Sequence, residues 1–348
     1  MARGKTNSGR RGTPVIKDVA QLAGVSVPTV SRYLNGTAKV SEDKREKIAQ
    51  AIKLLDYKPS VVARALANKV MDSVTMLTSL SGYWSTTEVN GGVEAAARER
   101  GFLFGVTSLD GMSTDDIDNI VNRVLSANPA GVLINESDEI AFQIMRQIPK
   151  DVPMVLIGGS RGDAAYQVIP SEREGGRVVT EHLLGLGHRN VVHVHRAEGP
   201  NNNTRTLGWR DAMSAAGIAA TESYQVTTEL GEIEALGRKL AQSDDVTAIF
   251  AGNDETAIAL IKGLLQGGRR VPEDVSVAGF NDQIFAPFWQ PSLTSYRQNF
   301  TELGSEAFAM LYAQIEARRA GGQAPEPECR VVEGRLVVRE STAAPHSR

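Results

Sequence analysis

From Val74 onward, short apolar runs alternate with stretches of helical length and spacing. Val74–Leu77 precedes 86–100, Phe102–Val106 precedes 114–126, and Val132–Ile134 precedes 140–147, with Met154–Ile157 following. After Tyr166 the pattern resumes: helix 172–186, strand Val191–Val194, helices 204–216 and 233–241, strand Ala248–Phe250, helix 255–266, strand Val275–Ala278. Such alternation predicts parallel sheets covered by helices. The series is too long for one such domain and suits two doubly wound lobes. Ligands in such folds lie in a crevice at the carboxyl ends of the strands. The Pro/Gly-rich stretch 321–327 reads as a late crossing or surface loop.

Residues 14–58 follow a different grammar. Ile16, Val19, Ala20 and Ala23 share one helical face, and Gly24 permits a sharp turn. Ser26 caps a second helix, Val27 to Leu34, which Asn35-Gly36 stops. Ser41 caps a third, with Ile48, Ala51, Ile52 and Leu55 on its buried face. Charge is divided in the same place. Residues 1–70 hold 14 Lys and Arg against 5 Asp and Glu, whereas 71–348 hold 24 against 36. A basic head on an acidic body implies a polyanion-binding module joined to something with another task.

The first two helices form a helix-turn-helix. Small Ala20 and Ala23 allow a close crossing, and Val25 and Val30 plug the core between the helices. Ser26, Val27, Pro28, Thr29, Ser31 and Arg32 then face outward, toward a major groove. Hydroxyls and the helix N-terminus suit phosphates, and Arg32 suits a bidentate pair with guanine.

On these residues the chain resembles the LacI/GalR family of bacterial transcription regulators. A second motif, Tyr57-Lys58-Pro59-Ser60-Val61-Val62-Ala63-Arg64-Ala65-Leu66, is similar to the family's hinge helix. The resemblance implies that this segment orders on operator DNA, pairs with its dimer mate through Ala63 and wedges Leu66 into the minor groove. Asn35 joins the implied DNA contacts. Two positions depart from the family pattern: Val15 stands where Thr usually caps the first helix, and Ser60 replaces the hinge asparagine. The resemblance continues through Gly91–Phe102, His182–Arg189, Arg205-x-x-Gly208-Trp209, Asn253-Asp254, Val275–Asp282 and Pro291–Gln298. It implies a periplasmic-binding-protein-like body with three crossings near 170, 298 and 329. The expected organisation is a flexible basic arm (1–13), an all-α head (14–58), a hinge (59–70) and an α/β effector-binding and dimerisation body (71–348). Lobe one takes about 71–169 and 298–328, and lobe two about 170–297 and 329–341.

Within the body, Arg205, Asp254 and Gln298 align with effector-contacting positions of sugar-responsive members. A carboxylate accepting hydroxyl protons and a guanidinium donating to oxygens suit a polyol. Ser79 and Asn253 complete the expected polar set. Trp84, Trp289 and Phe300 are candidate stacking surfaces. The carboxylate of Asp254, just after an apolar strand, is expected to face the crevice.

Several classes are disfavoured. The single cysteine, Cys329, forms no internal disulfide and no cysteine cage for zinc. The chain has no apolar run near the ~18 residues of a membrane span. Its basic start lacks the apolar core of a signal sequence, which argues for the bacterial cytoplasm, at the nucleoid, and against a sugar-binding transport protein. No Ser–His–Asp arrangement or nucleophile elbow suggests an enzyme. Gly185-Leu186-Gly187 precedes a strand and lacks the last glycine of a dinucleotide fingerprint, so no cofactor is expected. His193-x-His195 has no third ligand nearby in sequence. The reading is a homodimeric repressor released from a palindromic operator by a mono- or disaccharide, the alternative effector being a purine or phosphorylated corepressor.

Overall fold

The computed structural model describes residues 14–35, 40–57, 71–79, 84–136, 139–159, 166–196, 204–219 and 223–346. Two compact units divide the chain at Met71/Asp72. The first contains α1 (Ile16–Ala23), α2 (Val27–Asn35) and α3 (Glu42–Leu55). Val19, Ala20, Ala23, Val30, Ile48, Ala51 and Tyr57 form its buried core, with Val25, Ile52 and Leu55 half-buried against it. Gly24 ends α1 in the left-handed conformation at φ 66°, which the absence of a Cβ makes cheap. Val15 has no side-chain oxygen to cap α1. Its own backbone N–H instead donates to Asp18 at 2.8 Å, the reciprocal half of a capping arrangement. Ser41 sits at the start of α3 without a side-chain cap bond and contributes its backbone carbonyl, which accepts from Arg45 at 3.0 Å.

The second unit holds two six-stranded sheets. The first runs through β1 (Met71–Thr78), α4 (Trp84–Glu99), β2 (Leu103–Ser108), α5 (Ile117–Ser126), β3 (Pro129–Glu136), α6 (Glu139–Gln147), β4 (Met154–Gly158) and β5 (Gln167–Pro170). The second runs through α7 (Glu172–Gly185), β6 (Val191–Arg196), α8 (Thr204–Ala215), β7 (Ser223–Val226), α9 (Leu230–Leu240), β8 (Ala248–Ala251), α10 (Asp254–Gln266), β9 (Ser276–Asn281) and β10 (Thr294–Arg297). The chain then returns with α11 (Phe300–Arg319) and β11 (Cys329–Val332) in lobe one, and ends with β12 (Arg335–Val337) in lobe two. Strand orders are β2-β1-β3-β4-β5-β11 and β7-β6-β8-β9-β10-β12, the same winding twice. Strands β10 and β12 pair antiparallel, Ser295 opposite Val337.

Because β11 pairs with β5, lobe one extends past 329, and the third crossing falls at Glu333-Gly334. The sequence placed it about four residues too early. The three crossings meet at one side chain. The Ser171 hydroxyl accepts from the Gly334 N–H at 3.1 Å and lies 3.1 Å from the Tyr296 hydroxyl at the end of β10. Three helix pairs cross at glycines that admit no Cβ: Gly92 with Gly304, Gly176 with Gly208, and Gly237 with Gly263. A Cβ on Gly208 would lie 2.0 Å from the Arg173 carbonyl oxygen, and one on Gly176 would lie 2.3 Å from that of Arg205. Among the described residues, no helix is long and apolar enough to cross a membrane.

Candidate functional site

On the head, the outward face predicted for α2 is present. Ser26, Val27, Pro28 and Arg32 are exposed, and Thr29 and Ser31 are half-exposed. The Ser26 and Thr29 hydroxyls share a hydrogen bond of 2.8 Å at the helix start. Arg45 of α3 covers the Tyr33 ring at 5.9 Å. Asn35 ends α2. Ala63 and Leu66 lie outside the described residues, as does Ser60.

The body has a cavity of about 800 Å³ between its lobes. Its position follows from the winding. Both sheets reverse strand order between their first and third strands, at β1/β3 and at β6/β8, where a crevice opens at the carboxyl ends. Ser79 follows β1, Asn135 sits near the end of β3, Arg196 ends β6, Asn253 follows β8 and Asn281 ends β9. All five line the cavity.

The floor is charged. Arg205, in the first turn of α8, donates Nη2 to Glu172 Oε1 at 2.5 Å and Nη1 to the Gly252 carbonyl at 2.5 Å. Its guanidinium stands 4.3 Å from the centre of the Phe280 ring. Glu172 Oε2 accepts from Thr204 Oγ1 at 2.7 Å. Burial pushes the Glu172 carboxyl up, but Arg205 and hydrogen bonds from Thr204, Arg205 and Gln298 outweigh it, leaving the pKa below its ordinary value. At one wall, the Trp84 ring meets Phe300 edge-on, 5.8 Å between centroids.

The expected effector residues divide. Ser79, Trp84, Arg205, Asn253 and Phe300 line the cavity. Ser79 is tied down by its hydrogen bond to the Asp110 carboxylate, and Asn253 caps α10 by accepting from the Thr256 N–H at 2.9 Å. Asp254 departs from expectation. Its side chain is wholly buried, accepting from the Gln283 N–H and the Ser295 hydroxyl, each at 2.6 Å, and it does not line the cavity. The first residue of a helix after a strand turns inward here because β9 and β10 supply its donors. Trp289 also departs: it follows exposed Phe288, the last residue of a short 3-10 turn, Ala286–Phe288, and does not line the cavity. Gln298 is buried behind the floor, donating to Asn281 Oδ1 at 3.1 Å.

Glu172, Asn135, Arg196, Glu255, Asn281 and Gln283 line the cavity and were not singled out in the sequence. Arg196 and Asn281 were within reach of the strand-end rule. Glu172 was not, because it lies at a crossing that has no local signal. His193 and His195 stack at 5.2 Å. The His193 nitrogens lie 3.0 Å from the Phe250 carbonyl and 3.1 Å from the Thr206 hydroxyl, and burial lowers its pKa to about 3.

Residues 15–60 match the model for bacterial regulatory proteins of the lacI family, and residues 180–342 match that for a periplasmic binding protein-like domain. The chain is 32% identical over 311 residues to the HTH-type transcriptional repressor PurR of Vibrio cholerae, covering 86% of this chain and 91% of that one. The chain belongs to the lacI family. Identity to the HTH-type transcriptional regulator CelR of Thermobifida fusca is 33% over 349 residues, covering 95% of this chain and 99% of the relative. In structure, the lac repressor dimer bound to operator and the anti-inducer ONPF aligns with a TM-score of 0.82 at 25% identity, covering 96% and 100% of the two chains. The protein is therefore a DNA-binding transcriptional regulator, with a helix-turn-helix head and a ligand-binding body of two lobes.

Proposed function

We propose that this lacI-family regulator is a repressor that holds a roughly two-fold-symmetric operator as a homodimer and releases it when a mono- or disaccharide fills the interlobe cavity. In this reading α2 enters the major groove through Ser26, Val27, Pro28, Thr29, Ser31 and Arg32, with Asn35 at its end. Segment 59–70 couples head to body, with Ala63 at the helix pair and Leu66 as the minor-groove wedge. The protein acts in the bacterial cytoplasm, on nucleoid DNA.

The observation that carries the sugar assignment is the make-up of the cavity. Ionised Glu172, held by Arg205, accepts, Arg196 donates, and the amides of Asn135, Asn253, Asn281 and Gln283 do both, beside the Trp84 and Phe300 rings. Hydroxyls match such a wall because each donates and accepts. The CelR–cellobiose complex, a structural relative with a TM-score of 0.68 at 30% identity, supports the same class of ligand. Self-association is supported by Ile284, Phe288 and Trp289, which are 73%, 85% and 39% exposed within one six-residue segment.

The test begins with a binding site selected from random duplex DNA. Sugars are then titrated into the complex, read by fluorescence anisotropy. Release by a neutral sugar at micromolar to millimolar concentration is expected. A ligand that tightens the complex would reverse the sign of regulation and overturn the induction mechanism.

A further inference from the structure

We infer that Glu172 sets the charge class of the effector: by neutralising Arg205, it makes the cleft take uncharged hydroxylated ligands and exclude phosphorylated ones. This rests on the reading of the cavity as the effector site and concerns one residue's part in its selectivity.

A largely buried guanidinium in the first turn of a helix, lining a cavity, is ordinarily an anion receptor, since its planar fork matches a phosphate. Here that fork is already engaged. Nη2 goes to Glu172 Oε1 at 2.5 Å, Nη1 to the Gly252 carbonyl at 2.5 Å, and one face lies against Phe280. The Glu172 carboxylate is fixed from three sides, by Arg205, by Thr204 at 2.7 Å and by the Gln298 amide. Its two oxygens offer four acceptor sites and these three donors take three, which leaves one for a ligand hydroxyl.

The rest of the lining does not restore a positive balance. Arg173 pairs with Asp211, and Arg177 with Glu174 and Glu181, so these rim cations are matched. Arg196 is outnumbered by the Glu255 and Glu333 carboxylates, which line the same cavity. A phosphate would therefore meet excess negative charge, and the carboxylates of Glu172, Glu255 and Glu333 are acceptors with no proton to offer it. A hydroxyl would meet the same acceptors as a donor. Residue 172 lies where the chain first crosses between the lobes, beside the Ser171 knot, so its charge acts at the floor on which both lobes close.

The test is calorimetry on the full-length protein with cellobiose, glucose 6-phosphate and inorganic phosphate, for the native chain, Glu172→Gln and Glu172→Asp. The native chain and Glu172→Asp are expected to show no binding of either phosphate below millimolar concentration. Glu172→Gln is expected to gain at least about tenfold in affinity for glucose 6-phosphate, the scale of one removed like charge at close range. Sub-millimolar phosphate binding by the native chain overturns the inference without any variant, as does loss of phosphate exclusion in Glu172→Asp. A folded Glu172→Gln protein with no gain for glucose 6-phosphate also overturns it. Operator release is read separately. If no neutral sugar releases operator while Glu172→Gln gains phosphate, the regulatory reading fails and the selectivity role of Glu172 stands.

Discussion

Glu172 and Arg205 meet at 2.5 Å on the floor of the interlobe cavity, the one opening α7 and the other in the first turn of α8. Both side chains are less than a fifth exposed, so neither charge is well solvated alone. Removing Arg205 leaves an uncompensated carboxylate, and Arg205→Ala is expected to destabilise the body by about 3–5 kcal/mol. The Glu172 pKa lies below its ordinary value because Arg205 and its other donors outweigh the effect of burial. The pair therefore stabilises the protein above the ordinary carboxylate range and loses that contribution as pH falls through the lowered pKa. Thermal melts of the native chain and Arg205→Ala from pH 3 to 8 check both. Equal melting temperatures at pH 7 would contradict the first expectation.

On the head, Arg32 is exposed on the outer face of α2, while Val30 beside it is buried. Arg32→Ala is expected to cost about 1–3 kcal/mol on the selected operator and little on random duplex DNA. Equal losses on both would assign Arg32 to phosphate contact alone. Affinity of the native protein should fall as salt rises, since the basic head displaces counterions from DNA.

Much of this was legible in the sequence because its signals are local. Ala20, Ala23, Gly24 and Val30 announce the head's packing through spacing alone, and the apolar runs announce seven strands. Strands β5, β7, β10, β11 and β12 have four residues or fewer and mix polar with apolar residues, whereas β8, also four residues long, is wholly apolar and could be read. Helix α11 was not singled out because it buries several faces at once: Phe308, Met310, Leu311, Gln314 and Ile315 leave no single apolar stripe. In the cleft, strand ends could be read but crossings could not. Glu172 gains its role only when the first crossing brings it beside α8, 33 residues away. Asp254 shows the converse: its place after a strand was right, but Gln283 and Ser295, from distant segments, turn the carboxylate inward.

Phe288 and Trp289 present aromatic surface beside exposed Ile284, which supports a self-association face. Phe288→Asp with Trp289→Asp is expected to shift the protein toward monomer in sedimentation velocity at micromolar concentration. Ligand-free melting should change little if each monomer keeps its core. An unchanged dimer would place the interface elsewhere.

The crossing of α7 and α8 sets where Arg205 stands. A Cβ at Gly208 would sit 2.0 Å from the Arg173 carbonyl oxygen and 2.6 Å from the Arg177 nitrogen, both backbone atoms that do not yield as side chains do. Gly208→Ala should therefore force the helices apart and cost about 1–3 kcal/mol. It should also weaken sugar binding by moving Arg205, although residue 208 does not line the cavity. Calorimetry and melting on one preparation test this. A variant with native stability and native sugar affinity would show that the helices accommodate the methyl group.

Asp254 gives the protein a second pH dependence, opposite in sign to that of Glu172. Burial raises its pKa from 3.8 to about 7, against the lowering effects of the Ser295 hydroxyl and the Gln283 N–H, and nearby Asp282 and Glu255 add to the rise. Between about pH 4 and pH 7 the folded chain keeps a proton that the unfolded chain has released. Stability attributable to this group therefore falls as pH rises through that window, by on the order of 4 kcal/mol. Asp254→Asn removes the titration and preserves the geometry. Its carbonyl oxygen can accept from the Gln283 N–H, and its amide can donate to the Ser295 oxygen, which already accepts from the Asp282 N–H at 3.0 Å. The variant is expected to melt above the native chain at pH 8 and to converge with it near pH 4. Because Asp254 does not line the cavity, its sugar affinity at pH 8 should stay within about threefold of native. A loss of tenfold or more, with melting unchanged, would mean that the carboxylate swings into the cleft when the ligand binds.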